Sequence, residues 1–313
     1  MTTDVLLIIA GLGLLLAGAE GLVRGAVSLA RRLGLTPLVI GLTVVAFGTS
    51  APELVVSLEA VLRGAGDIAA GNVVGSNIAN IGLILGLTAL ICPIPVSLSV
   101  LKVDAPVMVA VSAGVLLLLA AGPVGRVAGV VLVALLVAYT AMNVWLARRE
   151  TAKVEVEEAL PTTTESVGKG ILFLLAGLVV LVLGARFLVG GATGVARGLG
   201  VSEAIIGLTI VAVGTSLPEL ATSVVAALRK QPDIAVGNVI GSNIFNLLGI
   251  LGVSASVATV DAPGIARLDL WAAMLMAVAL MPLIWTGRRL LRWEGIALLV
   301  LYVAYVAVRW QMG

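Results

Sequence analysis

The chain has 313 residues, 60% of them apolar and 12% charged, with a mean hydropathy of +1.19 and a formal net charge of +2. A soluble domain is about a quarter charged, so this composition cannot cover a water-facing surface. With one cysteine, Cys92, and no histidine, disulfide frameworks, thiolate zinc sites and imidazole proton relays are excluded.

Apolar stretches, read against charge and Gly/Pro punctuation, predict ten helices. The first covers 3–23, where Val5 to Leu22 approaches the roughly 20 apolar residues that span a bilayer. Its leading Met-Thr-Thr-Asp carries no basic residue and Arg24 follows the run, which suits a span entering from outside better than a secretory signal. Helices over 36–62, 67–91, 101–121 and 124–147 follow. Arg148 to Lys169 then holds nine of the 36 charged residues, with Pro161 and a threonine run, and reads as a soluble linker. The remaining helices are expected over 169–190, 201–228, 233–259, 268–287 and 290–310. Trp145, Trp285, Trp293 and Trp310 fall near span ends as interfacial anchors. Glu20, Glu59 and Glu203 are expected in solvent, and Asp67 and Asp233 as helix caps.

The chain repeats itself. Residues 41–86 align without a gap on 207–252 at an offset of 166, with 29 of 46 positions identical. Upstream, Gly18, Ala19, Gly25, Ala30, Arg31 and Gly34 meet Gly184, Ala185, Gly191, Ala196, Arg197 and Gly200. This divides the chain into a first repeat over 1–147, a cytoplasmic linker over 148–168 and a second repeat over 169–313. Five spans per repeat is an odd number, so the second repeat enters the membrane inverted. With both termini outside, 13 of the 19 lysines and arginines fall on the inner side, as the positive-inside rule asks. The expected fold is an all-α polytopic membrane protein, ten transmembrane helices in two inverted five-helix repeats. Such repeats frame a site near the bilayer midplane.

Each repeat carries the same polar segments in the middle of apolar helix. Ala46-Phe47-Gly48-Thr49-Ser50-Ala51-Pro52-Glu53 is matched by Ala212-Val213-Gly214-Thr215-Ser216-Leu217-Pro218-Glu219. Gly71-Asn72-Val73-Val74-Gly75-Ser76-Asn77-Ile78-Ala79-Asn80 is matched by Gly237-Asn238-Val239-Ile240-Gly241-Ser242-Asn243-Ile244-Phe245-Asn246. A carboxylate at the depth of Glu53 costs about 2.5–3.5 kcal/mol on the insertion scale, and the chain incurs that cost twice. No basic residue lies at similar depth in either repeat core, so the compensating charge is a bound metal ion or a proton. Pro52 and Pro218 remove helical donors from the carbonyls of Gly48 and Gly214, and carbonyls freed at such depth are ready cation ligands. Thr49 and Ser50 share a helical face with Glu53, and Ser76 and Asn80 repeat that spacing. Carboxylate, hydroxyl, amide and carbonyl oxygens suit Ca²⁺ and Na⁺ rather than zinc or copper. Asn72 and Asn238 either line this site or hold helices together. Gly71/Gly75, Gly237/Gly241, Gly82 and Gly86 read as packing residues.

The paired G-T-S-x-P-E and G-S-N-I-x-N segments resemble the two alpha-repeats of the Ca²⁺/cation antiporter superfamily, specifically the prokaryotic sodium/calcium exchangers. The resemblance covers the whole chain. It implies Ca²⁺ ligation by Glu53 and Glu219 with the carbonyls of Thr49 and Thr215. It also implies Na⁺ sites built from Ala46, Thr49, Ser50 and Ser76 with Glu53, and from Ala212, Thr215, Ser216 and Ser242 with Glu219. Asn80 and Asn246 would line the middle. Some exchangers carry an acidic residue where Asn246 stands, and in the K⁺-dependent branch an aspartate there accompanies K⁺ co-transport, so asparagine implies K⁺ independence. The expected activity is Na⁺/Ca²⁺ antiport in the inner membrane, with no enzymatic reaction and no cofactor. The partners are the two ions and the lipid bilayer, without nucleic acid or an obligate protein. An H⁺-coupled exchanger of the same superfamily is the alternative, followed by a cation channel.

Overall fold

A computed structural model describes residues 2–154, 167–200 and 212–312, and these are almost wholly helical. The helices are α1 (Thr2–Leu33), α2 (Pro37–Thr49), α3 (Ala51–Leu62), α4 (Gly66–Ile91), α5 (Val100–Ala121) and α6 (Arg126–Val154). They continue as α7 (Val167–Gly198), α8 (Leu217–Leu228), α9 (Pro232–Val257), α10 (Arg267–Trp285) and α11 (Arg292–Met312). Eight are long and apolar enough to cross a bilayer, and α2 with α3 makes a ninth span bent by 47°. A helical turn, Ala212–Gly214, precedes α8. The predicted start of that span, with Glu203, lies outside the described residues, as does the middle of the expected linker.

The repeat-equivalent helices α1 and α7 lie against each other and run antiparallel. Gly11 meets Gly184, Gly18 meets Gly177 and Gly25 meets Gly170, each at backbone contact. Helices related by the 166-residue offset that point in opposite directions are what an inverted repeat requires. The glycines recur every seven residues, which keeps one stripe of each helix free of side chains so the backbones close. This packing also carries both helices beyond the predicted ends at 23 and 190: apolarity fades there, but the small-residue stripe continues. Similarly α6 runs beyond 147 into the charged segment.

Inside this pair, α4 and α9 form the centre, with 72% and 94% of their most apolar windows buried against 28% for α1 and α7. The halves interlock. After α4, β1 (Ile94–Pro95) pairs antiparallel with β2 (Arg289–Leu290) ahead of α11, and the equivalent bridge joins Val260, after α9, to Val124, ahead of α6. The C-terminal ends of α4 and α9 therefore pack on a helix of the opposite half, where Gly86 approaches Gly295 and Gly252 approaches Gly129.

Three sequence expectations change. Asp67 lies inside the first turn of α4, whose N-cap is Ala65, and its Oδ1 accepts from Gly264 N at 2.7 Å, tying down the loop before α10. Asp233 likewise sits inside α9, whose N-cap is Gln231. Both acids still suit the positive end of the helix dipole. Glu20, expected in solvent, lies within α1 and accepts from Arg24 Nε at 2.6 Å and Arg229 Nε at 2.7 Å. Glu59 is exposed as expected, beside Arg63. Trp145, Trp285, Trp293 and Trp310 are all outward-facing.

Helices α3 and α8 end in the same Schellman motif. The N–H of Ala65 reaches back to Ala60 O and that of Gln231 to Ala226 O, both at 2.8 Å. The residue at the left-handed position is Gly64 (φ 73°) in one repeat and Lys230 (φ 58°) in the other. Lys230→Gly is expected to stabilise the protein by about 1 kcal/mol, since only the lysine has a Cβ to clash there, and to raise Tm in detergent. Gly18→Ala is expected to cost about 1–3 kcal/mol because its Cβ would stand 2.6 Å from Leu181 N, whereas Gly13→Ala, with open space around it, leaves Tm unchanged.

Candidate functional site

The bend in the α2–α3 span falls at Ser50 (φ −84°, ψ 9°), and Ser216 (φ −89°, ψ 5°) breaks the chain identically before α8. Pro52 and Pro218 occupy the first turns after the breaks, where a missing N–H costs nothing. The breaks place Glu53 and Glu219 in the first turns of α3 and α8, each 1% exposed at the centre of the bundle. Anionic side chains there meet the positive ends of both short helices.

Each glutamate is held by the same brace. Asn72 Nδ2 donates to Glu53 O at 3.0 Å and to Ser57 Oγ at 2.9 Å; Asn238 Nδ2 donates to Glu219 O at 3.2 Å and to Ser223 Oγ at 3.0 Å. Both asparagines therefore fasten the glutamate helix to its neighbour, and their amide nitrogens do not reach the carboxylates. Thr49 Oγ1 donates to Asn238 Oδ1 at 3.1 Å and to Ala46 O at 3.3 Å.

Contacts to the carboxylates themselves cross between halves. Ser50 Oγ donates to Glu219 Oε1 at 2.7 Å, and Thr215 and Ser216 face the Glu53 carboxylate. The amides cross as well. Asn80 Nδ2 donates to Asn243 Oδ1 at 3.1 Å, and Asn246 Nδ2 donates to Asn77 Oδ1 at 3.0 Å. Asn77 also donates to Asn243 O at 3.2 Å, while Asn243 Nδ2 points to Met108 Sδ at 3.5 Å. Asn80 opens a π-helical stretch, Asn80–Leu85, and Asn246 is the second residue of another, Phe245–Ile250, a widening of the helix common at functional positions. Beside them Phe47 stacks on Phe245 with centroids 4.4 Å apart.

These bonds use every amide N–H of Asn80 and Asn246 that reaches a partner across the centre, and leave oxygens over. Glu53 Oε2, Glu219 Oε2, Asn80 Oδ1, Asn246 Oδ1, Ser216 Oγ and Ser242 Oγ are buried without a hydrogen-bond partner. Neither carboxylate forms an ion pair among the described residues. Unpaired charges and acceptors at such depth are costly, and a cation is the species that satisfies all of them together.

Of the residues expected from the motifs, Ala46, Thr49, Ser50, Glu53, Ser76, Asn80, Ser216, Glu219, Ser242 and Asn246 are all buried in this centre, and Thr215 borders it. Ala212 lies in the helical turn one turn ahead of the second break. The sequence reading missed the bracing serines Ser57 and Ser223 and the crossing amides of Asn77 and Asn243, although each pair is duplicated at the 166-residue offset. Gly82, Gly86, Gly237 and Gly241 are packing residues as expected; the groups equivalent to those facing Gly237 and Gly241 lie outside the described residues for Gly71 and Gly75. Asn238→Ala is expected to lower stability by about 1–3 kcal/mol, measured as Tm, because it takes the donor from Ser223 Oγ and the Glu219 carbonyl and leaves Thr49 Oγ1 only Ala46 O as acceptor.

The family model described as sodium/calcium exchanger protein matches residues 3–145 and again 169–311. A sodium/calcium exchanger of Methanosarcina acetivorans, MaX1, is 33% identical, with 98% of each chain covered. A putative antiporter of Alkalimonas amylolytica, CaxA, is 38% identical over 88% of each chain. Among solved structures, the sodium-calcium exchanger NCX_Mj soaked without Na⁺ and Ca²⁺ superposes with a TM-score of 0.85 at 34% identity, covering 98% of this chain and 99% of its own.

Proposed function

The chain belongs to the sodium/calcium exchanger family, whose members are transporters and not enzymes, and from that premise we propose that it exchanges Na⁺ for Ca²⁺ by alternating access. The observation that carries this reading is the pair of buried carboxylates with a free oxygen each, ringed by unpartnered amide and hydroxyl oxygens and without a basic partner.

In this reading Glu53 and Glu219 bind Ca²⁺ directly, and their two charges balance its two. The carbonyls of Thr49 and Thr215 complete the central shell. Na⁺ occupies flanking positions made by Ala46, Thr49, Ser50 and Ser76 with Glu53, and by Ala212, Thr215, Ser216 and Ser242 with Glu219. Asn80 and Asn246 supply neutral oxygens in the middle. Because both ions need the same carboxylates, each displaces the other, and mutual exclusion at one site is what couples their fluxes. The same oxygens can hold more than two Na⁺, so exchange is electrogenic. The asparagine at 246 adds no third carboxylate, and the exchange is independent of K⁺. Both termini lie outside the inner membrane and the linker in the cytoplasm, as the distribution of arginine and lysine favours.

The test is Ca²⁺ uptake into proteoliposomes with Na⁺, K⁺ and H⁺ gradients imposed one at a time. Uptake driven by an outward Na⁺ gradient, accelerated by an inside-positive potential because more than two positive charges leave for each Ca²⁺ that enters, slowed by an inside-negative one and indifferent to K⁺, is expected. Uptake that follows a pH gradient in Na⁺-free buffer would establish proton coupling instead, and uptake with no counter-ion would establish a channel. Glu53→Gln and Glu219→Gln are each expected to reduce exchange at least a hundredfold while the protein stays folded. Normal exchange in both variants overturns the site.

A further inference from the structure

The two halves differ where their outer helices meet the inner ones. On one side Glu20 of α1 holds Arg229 at 2.7 Å and Arg24 at 2.6 Å. At the repeat offset, position 20 corresponds to 186, 229 to 63 and 24 to 190, and these are Arg186, Arg63 and Gly190. The second copy places two like charges where the first has an ion pair, and it cannot make the bond.

The packing is unequal in the same sense. α1 lies along α8, with Leu16, Ala17 and Glu20 against Val225, Leu228 and Arg229, and the surface groove between them, about 380 Å³, touches none of the candidate ligands. The equivalent helices α7 and α3 face each other across a cavity of about 520 Å³. Its walls include Pro52, Val55, Arg186 and Val189, and it extends inward to Thr215 and Pro218, beside the Glu53 and Glu219 carboxylates. One outer helix is fastened over the centre and its counterpart stands off.

We propose that Glu20 and Arg229, with Arg24, are positioning residues that hold α1 against α8, keeping the centre closed on that side while the α3/α7 cavity stays open, and so bias the carrier toward one of its two access states. The proposal rests on the exchange reading for its functional meaning, but the geometry it asserts is measurable without transport. The Glu20 side chain is 23% exposed and that of Arg229 57%, so the pair is partly screened, and releasing it shifts the balance between states by about two- to fivefold. Among the described residues the second half, with Arg186 and Arg63 at these positions, has no opposing ion pair.

The experiment uses the full chain in detergent with Cys92→Ala, carrying a single reporter: Val225→Cys, buried where α1 meets α8, or Val189→Cys, lining the open cavity. Reaction with a charged thiol reagent is followed at fixed Na⁺. Adding Glu20→Gln is expected to speed labelling at 225 and to slow it at 189, each about two- to fivefold. Glu20→Asp, which keeps the charge, is expected to return both rates toward the parent. A mere loosening of the fold would speed both sites together, and that outcome, like unchanged rates at both sites or no recovery with Glu20→Asp, overturns the proposal. Arg186→Glu, which puts at the equivalent position of the second half the acid that Glu20 supplies in the first, is expected to shift labelling in the same direction as Glu20→Gln; no effect on either reporter counts against the latch. Because labelling needs no ion gradient, its failure is distinct from any failure of Na⁺/Ca²⁺ exchange in liposomes.

Discussion

The exchange of amide bonds at the centre, Asn80 to Asn243 and Asn246 to Asn77, sets the terms for everything around it. Each asparagine gives its N–H₂ to the opposite half, so neither half can satisfy its own polar residues alone. That commitment decides which atoms remain. With the nitrogens engaged, Asn80 Oδ1 and Asn246 Oδ1 are left facing the same centre as the free oxygens of Glu53 and Glu219. A low-dielectric interior makes such leftovers expensive, and their shared polarity makes one kind of guest able to satisfy them all.

The interlocked architecture follows from the same need. Residues bonded across the pseudo-twofold axis must be held in register, and the two short pairings at Ile94–Leu290 and Val124–Val260 stitch each central helix to a helix of the other half. The inner helices are thereby fixed. The outer pair α1 and α7 is joined chiefly to itself through glycines that bring backbone against backbone. A rigid, mutually bonded core beside a separately zipped outer pair is a fold with an obvious place for movement. The unequal charges of Glu20/Arg229 and Arg186/Arg63 fall at the boundary between the two parts.

The serine breaks show how an interrupted helix is put to use. Proline and glycine around Ser50 and Ser216 end one helix and start another, so two helix N-termini converge inside the bundle with a buried glutamate in each first turn. The brace of Asn72 and Ser57, and of Asn238 and Ser223, then fixes the glutamate backbones from behind. The carboxylates are left to respond to what occupies the centre.

Much of this was already written in the amino-acid order. Membrane residence follows from composition, because charges too few to cover a surface leave only lipid as solvent. The 166-residue repeat and an odd number of spans gave the inversion, and two deep glutamates without basic neighbours pointed to a bound metal ion or a proton as the compensating charge. What the sequence could not decide were contacts between residues far apart in the chain. Whether Asn72 and Asn238 touched the guest or the backbone, that Ser50 serves the glutamate of the other half, and that Glu20 is an ion pair and not a solvated end all depend on how the halves cross. Identical motifs read alike along the chain; only their meeting in space makes one side fastened and the other open, because an ion pair needs two charges brought within reach, and sequence spacing alone does not say which ones meet.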